Sequence, residues 1–254
     1  MALVCLDLAG TTVADDAMVE RAFAEAIATQ GIVPSTAAYA RAMVQIHRAR
    51  GRSKIDIFRL LFPEDEARAQ AANIAFERSY ETAIDRVGLT PLPGAEAAID
   101  KLTGAGIKIC VVTGFSRSTL TRVIDTLGWW DRIHEALSPE DVDGRGRPYP
   151  DLVLKAVLRV GVDDVRRVAV AGDTENDVLC GRRAGASIAA GVLTGAHGRE
   201  RLIKAGATHI LESVADLPNI VLDDGPDGSG MAGGAEGVMT ARAPAASLAD
   251  DDRG

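Results

Sequence analysis

The amino-acid sequence predicts an α/β fold in which a doubly wound parallel sheet carries an inserted α-helical cap. Short, continuous apolar runs such as residues 2–6 and 167–171 are typical of parallel strands buried on both faces. Helical patterns separate most of these runs, and strands that alternate with helices indicate right-handed crossovers within one sheet. A long helical stretch at about 17–87 interrupts this alternation after the first run, which predicts a cap inserted into the core.

Turn residues mark the boundaries of the predicted elements that follow the long helical stretch. Pro91, Pro93 and Gly94 end the long helical stretch, and Gly104 and Gly106 end the helix that begins near residue 95. The remaining predicted elements are a strand at 107–114, a helix at 117–127, a strand at 167–171, a helix after the sequence GDTEND, a strand within ASIAAGVL and a weak strand at THILES.

The composition of the chain changes at Asp223. From this residue onward Gly, Ala, Asp and Ser dominate and no apolar periodicity remains, so we predict a disordered tail. The predicted division of the chain is a core formed by residues 1–14 and 92–221, a cap formed by residues 15–91, and a tail formed by residues 222–254.

Composition and charge limit the possible functions. The 254 residues carry a net charge of −8 without a long basic run, so nucleic acid and anionic membranes are not expected as partners. No apolar run approaches the roughly 20 residues of a membrane span, and residues 1–6 are too short for a secretory segment. The three cysteines form no CxxC pair, which argues against a disulfide framework. We therefore expect a cytoplasmic protein.

Polar side chains follow three of the predicted strands. Asp7 follows the first strand, Thr113 and Gly114 follow the second, and Asp173 follows the third, with Asp177 four residues further on. Because ligands bind at the carboxyl ends of strands in open α/β sheets, we expect these residues to meet. Carboxylates that meet require a compensating cation, and Mg²⁺ prefers carboxylates, water and phosphate oxygens. The pattern therefore predicts a Mg²⁺ site.

Four stretches of sequence resemble, in order, the motifs of the haloacid dehalogenase superfamily. They are DLAGTTV at 7–13, VVTG at 111–114, GRPYPD at 146–151 and GDTENDVLCGRRAG at 172–185. The resemblance covers roughly residues 1–220, and the combination is more specific than any single motif. It implies a Rossmann-like core with a helical cap between the first two motifs, where the helical stretch interrupts the strands.

The resemblance implies a role for each residue that would contact a phosphoryl group. Asp7 is similar to the nucleophile, whose carboxylate attacks phosphorus to give an aspartyl-phosphate that water later hydrolyses. Thr113 and Gly114 would bind phosphoryl oxygens at the start of a helix, where N–H groups favour anions. Arg147 takes the cationic position of the third motif and could bind phosphate oxygens through two N–H groups.

The resemblance also implies a set of Mg²⁺ ligands. Asp173 and Asp177 would hold the ion together with Asp7 and the backbone carbonyl of Ala9. Phosphoryl transfer mainly requires positioning and neutralisation of charge, which this set of groups would supply.

The residue at position 9 departs from the common pattern of the superfamily. Most of its phosphatases carry a second aspartate there, which protonates the leaving alkoxide, whereas this chain has Ala9. Losing that acid should slow hydrolysis of a phosphate ester. A DxAGTT motif with alanine resembles phosphonoacetaldehyde hydrolase (phosphonatase) and its phosphonatase-like relatives, which break a C–P bond and need no such acid.

A second similarity to phosphonatase lies in the predicted cap. The phosphonatase lysine that forms a Schiff base with the aldehyde lies in a stretch like MGxxKxDH, and residues 50–57 read RGRSKIDI. Gly51, Lys54 and Asp56 match, whereas Arg50 replaces the methionine and Ile57 the histidine. Arg50 and Arg52 could lower the pKa of the lysine by repulsion or bind an anionic group of another substrate. Resemblance also implies a homodimer.

Two enzymatic functions remain open at this point. The first is C–P hydrolysis of phosphonoacetaldehyde or a close analogue, and the alternative is hydrolysis of a small phosphate monoester. A dehalogenase would leave the Mg²⁺ carboxylates unused, and the nucleophile with its metal ligands argues against a purely regulatory binding protein. Release of phosphate in the presence of Mg²⁺ would exclude that last class.

Overall fold

The computed structural model describes residues 1–14 and 17–222. The predicted tail, apart from residue 222, lies outside the described part of the chain. Residues 1–222 belong to one compact unit. Among the described residues, no helix has both the length and the apolar character that crossing a membrane requires.

A parallel sheet of six strands forms the centre of the fold, with the strand order β3-β2-β1-β4-β5-β6. The order reverses direction at β1, so the predicted doubly wound α/β architecture of Rossmann-like type is confirmed. The strands are β1 (Leu3–Leu6), β2 (Lys108–Val112), β3 (Glu135–Leu137), β4 (Val168–Gly172), β5 (Ile188–Val192) and β6 (His209–Leu211).

Both faces of the sheet are buried, which explains why its strands are continuous apolar runs. Alternate residues of β1 enter two different cores: Val4 and Leu6 join one cluster, whereas Leu3 and Cys5 join the other. This alternation follows from the two-residue period of a strand. In the described residues Cys5, Cys110 and Cys180 are free thiols and all three are buried.

Ten α-helices accompany the sheet in the described residues. Five of them lie in the chain between β1 and β2: four within the stretch predicted to be helical at about 17–87, and a fifth that leads into β2. The helices are α1 (Met18–Thr29), α2 (Ala37–Ala49), α3 (Lys54–Leu61), α4 (Glu66–Val87), α5 (Ala95–Gly104), α6 (Arg117–Leu127), α7 (Asp151–Val160), α8 (Glu175–Ala184), α9 (Arg199–Lys204) and α10 (Leu217–Leu222).

Aromatic side chains connect helices α1, α3 and α4 with the end of β2. Phe23 of α1 and Phe76 of α4 lie 4.6 Å apart between ring centroids, and Phe58 of α3 lies 5.4 Å from Phe23. Tyr80 continues the cluster to Phe115, which follows β2, at 4.7 Å. Each fully buried aromatic ring of this kind removes a large apolar area from water. The boundary between cap and core stays a prediction.

The two chain segments that join the helical stretch to the sheet run side by side. The Ala14 N–H donates to the Thr90 carbonyl at 2.9 Å, and the Leu92 N–H donates to the Thr12 carbonyl at 2.9 Å. The chain therefore leaves the sheet and returns to it at the same place, next to the carboxyl end of β1.

Candidate functional site

Three carboxylates meet at the carboxyl ends of the central strands. Asp7 directly follows β1, Asp173 directly follows β4, and Asp177 lies in the first turn of α8. All three are buried, and each offers an oxygen that lies within 4.8 Å of the other two. Three buried oxygen ligands at this spacing fit a hard cation such as Mg²⁺, which could offset their mutual repulsion.

Local hydrogen bonds orient Asp177. One of its oxygens, Oδ2, accepts from the Thr174 N–H at 3.1 Å and from the Thr174 hydroxyl at 2.5 Å, in a capping box at the start of α8. This arrangement directs the other oxygen, Oδ1, towards Arg147. A capping role and a ligand role are therefore compatible in this side chain, because each uses a different oxygen.

A loop that follows β5 holds Asp173 in place. Asp173 Oδ2 accepts from the Ala196 N–H at 2.6 Å, and Oδ1 accepts from the Thr11 hydroxyl at 3.4 Å. Gly195 lies so close that an added Cβ would stand 2.1 Å from Asp173 Oδ2. Any larger residue at position 195 would therefore displace the carboxylate.

Arg147 is the buried cation beside these carboxylates. Its Nη1 donates to Asp7 Oδ1 at 2.8 Å and also to Asp177 Oδ1. The Nε of the same guanidinium is buried and has no acceptor within the described residues. A buried charged donor without an acceptor is costly, so an anionic ligand oxygen at this point would be favourable.

Burial and charge shift the acidity of Asp173. Burial raises the pKa of this carboxyl to about 7, and the negative charge of Asp7 acts in the same direction. The Ala196 N–H and the cations Arg50 and Arg147 oppose the shift. Without a bound cation, Asp173 therefore carries a proton below about pH 7.

This raised pKa predicts how Mg²⁺ binding depends on pH. A cation can bind the Asp173 carboxylate only after its proton has left, so affinity should rise with pH up to about 7 and then level off. Below that point we expect affinity to fall by up to about tenfold per pH unit. Titration calorimetry in buffers of different ionisation enthalpy measures both the affinity and the released proton. A dissociation constant independent of pH between about 5.5 and 8 would contradict the prediction.

The two residues that follow β2, Thr113 and Gly114, make different contacts. Thr113 is buried and lines the same cavity as Asp7, and its hydroxyl accepts from the Phe115 N–H at 3.2 Å. The Gly114 carbonyl accepts from the Lys54 N–H at 3.2 Å. An added Cβ at Gly114 would lie 2.3 Å from the Arg52 carbonyl oxygen. Gly114 thus permits close approach of the segment that precedes α3.

Lys54 reaches the site from the helical stretch between β1 and β2. It is the first residue of α3, which Ser53 caps, and only 9% of its surface is exposed. Its Nζ lies 4.2 Å from the ring centroid of Phe115 and 5.8 Å from that of Phe76. The structure therefore brings the predicted lysine to the cavity that Asp7 lines, although Lys54 lies 47 positions after Asp7 in the sequence.

A small cavity of about 30 Å³ lies between these groups. This volume holds only one or two waters, so a larger ligand requires the walls to move apart. Ala9 lines the cavity where the common superfamily pattern has a carboxylate, and Arg50 and Ile57 line it from the helical stretch. The complete lining consists of Asp7, Ala9, Val19, Phe23, Arg50, Gly51, Lys54, Ile57, Thr113, Phe115, Arg147, Asp173 and Thr174.

Comparison with known families agrees with this arrangement of strand-end groups. The sequence pattern of the haloacid dehalogenase-like hydrolases matches residues 1–185. The chain belongs to this family. Its membership confirms the resemblance drawn from the four motifs and shows that the protein is a hydrolase.

Two named relatives and one solved structure match most of this chain at low sequence identity. A phosphonoacetaldehyde hydrolase from Bacillus cytotoxicus is 26% identical over 209 residues, which cover 72% of this chain and 76% of the relative. A protein named "Probable phosphatase IndB" from Dickeya dadantii is 24% identical over 85% of this chain and 91% of its own length. The crystal structure of a hydrolase from Pseudomonas syringae has a TM-score of 0.75 and 26% identity, covering 88% of this chain and 99% of that one.

The sequence did not indicate some neighbours of the carboxylates in this hydrolase. Thr11, Gly195 and Ala196 all surround Asp173, and the last two belong to the TGAH sequence that follows β5. The rule that located Asp7 and Asp173, polar or small residues after a buried strand, would have found this loop if applied to β5.

Proposed function

We propose that this hydrolase cleaves the C–P bond of phosphonoacetaldehyde or a close analogue, using Mg²⁺ and an aspartyl-phosphate intermediate on Asp7. The observation that carries the proposal is the placement of Lys54 and Asp7 on one small cavity that Ala9 also lines. An amine and a carboxylate so placed can act on the two ends of one small oxo-phosphonate.

In the first step the neutral Lys54 amine would condense with the aldehyde and take up one proton, releasing water and forming a protonated imine. Burial of Lys54 disfavours its charged form, whereas the Phe115 ring, whose centroid lies 4.2 Å from Nζ, favours the charged form through a cation–π contact. The step requires the effect of burial to be the larger of the two. Schiff bases of this kind are a common use of a lysine held in an apolar site.

In the second step a carboxylate oxygen of Asp7 would attack phosphorus while the C–P bond breaks. The bonding electrons would pass into the protonated imine, so carbon leaves as a neutral enamine. Arg147 would hold phosphoryl oxygens, with its unsatisfied buried Nε as one donor. Mg²⁺ bound by the three carboxylates would offset the repulsion between an anionic substrate and Asp7.

Two hydrolyses would complete the cycle. Water would hydrolyse the aspartyl-phosphate to give phosphate and regenerate Asp7. Protonation of the enamine carbon and hydrolysis of the resulting imine would release acetaldehyde and restore the Lys54 amine. The group that leaves phosphorus in this cycle is an enamine carbon and not an alkoxide, so the reaction does not need an acid at the position of Ala9.

The alternative is hydrolysis of a small phosphate monoester. The similarity to a protein named as a phosphatase and the presence of Arg50 in the cavity favour this function. Against it, the methyl group of Ala9 cannot donate a proton to a leaving alkoxide, and such a proton is worth about 10²–10⁴-fold in rate.

A phosphate-release assay decides between these functions. With Mg²⁺ present, we expect kcat/KM for phosphonoacetaldehyde to exceed that for sugar and small-acid phosphates by about 10²-fold or more. Acetaldehyde should appear in equal amount, and a chelator should stop both products. A monoester preferred over phosphonoacetaldehyde would contradict C–P cleavage.

The proposal also covers the cellular compartment and the oligomeric state of the enzyme. Three free, buried thiols suit a reducing cytoplasm, and a homodimer follows from the phosphonatase resemblance. Gel filtration with light scattering tests the assembly.

A further inference from the structure

Arg201 of α9 binds the C-terminal end of helix α2. Its Nη2 donates to the Arg48 carbonyl at 2.8 Å, although 153 positions separate the two residues in the sequence. The last carbonyls of a helix lack donors within the helix and carry partial negative charge, so a guanidinium is a favourable partner for them. We call residues 48–54, which lead from this end of α2 to Lys54, the lysine segment.

The same guanidinium is paired with Glu175 at the start of α8. Arg201 Nη2 also donates to Glu175 Oε1, and this bond holds the pKa of the carboxyl below its usual value. About a third of each of the two side chains is exposed, so solvent screens the pair less than it screens a fully exposed one. Arg201 therefore joins the lysine segment to the helix that carries Asp177.

Two further contacts hold the backbone of the lysine segment against the start of α8. The Arg50 carbonyl accepts from the Asn176 side-chain amide at 2.5 Å. Gly51 has a φ of +88° and packs so closely that an added Cβ would lie 2.1 Å from the Thr174 hydroxyl oxygen. The position of Lys54 thus depends on side chains of α8 and α9 that bind the backbone of its segment.

The lysine segment has to move when a ligand enters the site. The cavity between Lys54 and Asp7 measures about 30 Å³, which holds only one or two waters. Residues Arg50, Gly51 and Lys54 of the lysine segment form part of its wall. The strength of the contacts that fasten this segment therefore sets how often the cavity opens.

We propose that Arg201 is a positioning residue that, together with Glu175, holds the lysine segment closed over Asp7. It makes and breaks no bond of the substrate, and it acts on the position of Lys54 through the Arg48 carbonyl. Removing the guanidinium would leave Glu175 and the end of α2 without this partner and shift the segment towards an open state. The inference does not depend on which bond of the substrate is cleaved.

Chemical labelling of the full chain without substrate measures how often the lysine segment opens. N-acetoxysuccinimide acetylates amines that solvent reaches, and peptide mapping gives the rate at each lysine. Arg201→Met keeps a long side chain but cannot donate a hydrogen bond, so we expect it to raise the rate at Lys54 about tenfold or more. The rate at Lys101, which is already exposed, should stay the same.

Arg199 provides a matched control on the same helix. Its guanidinium pairs with the exposed Glu212 at 3.0 Å and not with the lysine segment, so Arg199→Met should leave the rate at Lys54 unchanged. Cys110 lies fully buried in β2 and reports general unfolding. Its reaction with a thiol reagent should proceed at the wild-type rate in each variant.

A second variant and a second measurement support the test. Glu175→Gln weakens the ion pair but keeps Arg201, so the rate at Lys54 should rise by a smaller factor, about two- to fivefold. Amide hydrogen exchange of the peptide that contains Lys54 does not depend on the pKa of the amine. Exchange of the Lys54 N–H, which donates to the Gly114 carbonyl, should accelerate in the same order of variants.

Each outcome bears on the role of Arg201. An unchanged rate at Lys54 in folded Arg201→Met protein would overturn the proposal, and so would an equal rise in Arg199→Met or a joint rise at Lys54 and Cys110. If Arg201→Met does not fold, an unchanged rate in Glu175→Gln has the same meaning. C–P cleavage is assayed separately, so failure of the proposed reaction and failure of this inference are distinguishable.

Discussion

Replacing Asp7 with asparagine is expected to abolish phosphate release, by about 10⁴-fold or more. An amide oxygen is a far poorer nucleophile than a carboxylate and a weaker ligand for Mg²⁺. The fold should survive, because the change is nearly isosteric and an amide oxygen can still accept the 2.8 Å bond from Arg147 Nη1. Single-turnover phosphate release, measured with thermal unfolding of the same preparation, checks both parts.

A conservative change elsewhere controls for this experiment. Asp163 is exposed in the turn after α7, so Asp163→Asn should keep the wild-type rate. If folded Asp7→Asn protein released phosphate at a rate close to that of the wild type, the aspartyl-phosphate mechanism would be refuted.

Replacing Lys54 with arginine should remove C–P cleavage by about 10³-fold or more while sparing chemistry that depends on Asp7 alone. A guanidinium stays charged and cannot form an imine. The wild-type protein, treated with borohydride and an aldehyde substrate, should yield a covalent adduct that peptide mapping places on Lys54. Residual activity on an activated phosphate ester should survive the substitution better than C–P cleavage, because Asp7 and its neighbouring carboxylates are unchanged.

A second lysine provides the control for this experiment, and one outcome would contradict the role of Lys54. Lys101→Arg changes an exposed lysine of α5 and should leave every activity intact. If no adduct forms and Lys54→Arg hydrolyses its best substrate normally, Lys54 does not react, and hydrolysis of a monoester becomes the better account.

The sheet and its strand-end carboxylates were predictable because both depend on local sequence. A strand buried on both faces must be apolar throughout, so β1 and β4 can be recognised in the sequence as continuous apolar runs. The polar residue that follows each run lies at the carboxyl edge of the sheet, where ligands bind. Strand β3 was missed: it has only three residues and begins with Glu135, so it has neither the length nor the continuous apolar character of the other strands.

The surroundings of the candidate site were less predictable, because they depend on contacts between distant segments. Lys54 was identified from its spacing in a motif, but its packing against Phe115 requires α3 to lie on the end of β2. The contact of Gly114 with the Arg52 carbonyl has the same origin. Gly114 was predicted to bind phosphate, and that role stays a prediction beside the packing role that the structure shows.

The paired segments at Ala14 and Thr90 have a consequence for how such enzymes diversify. Because the chain leaves and rejoins the sheet at one point, the stretch between them is a closed loop whose length imposes nothing on the strands. The entropy cost of closing a loop grows only with the logarithm of its length, so inserts of other sizes fit the same position. A single exchange of coding sequence between these points would replace Arg50 and Lys54 together and leave Asp7 on an unaltered strand. New substrates could then be acquired by recombination, without renewed selection on the sheet.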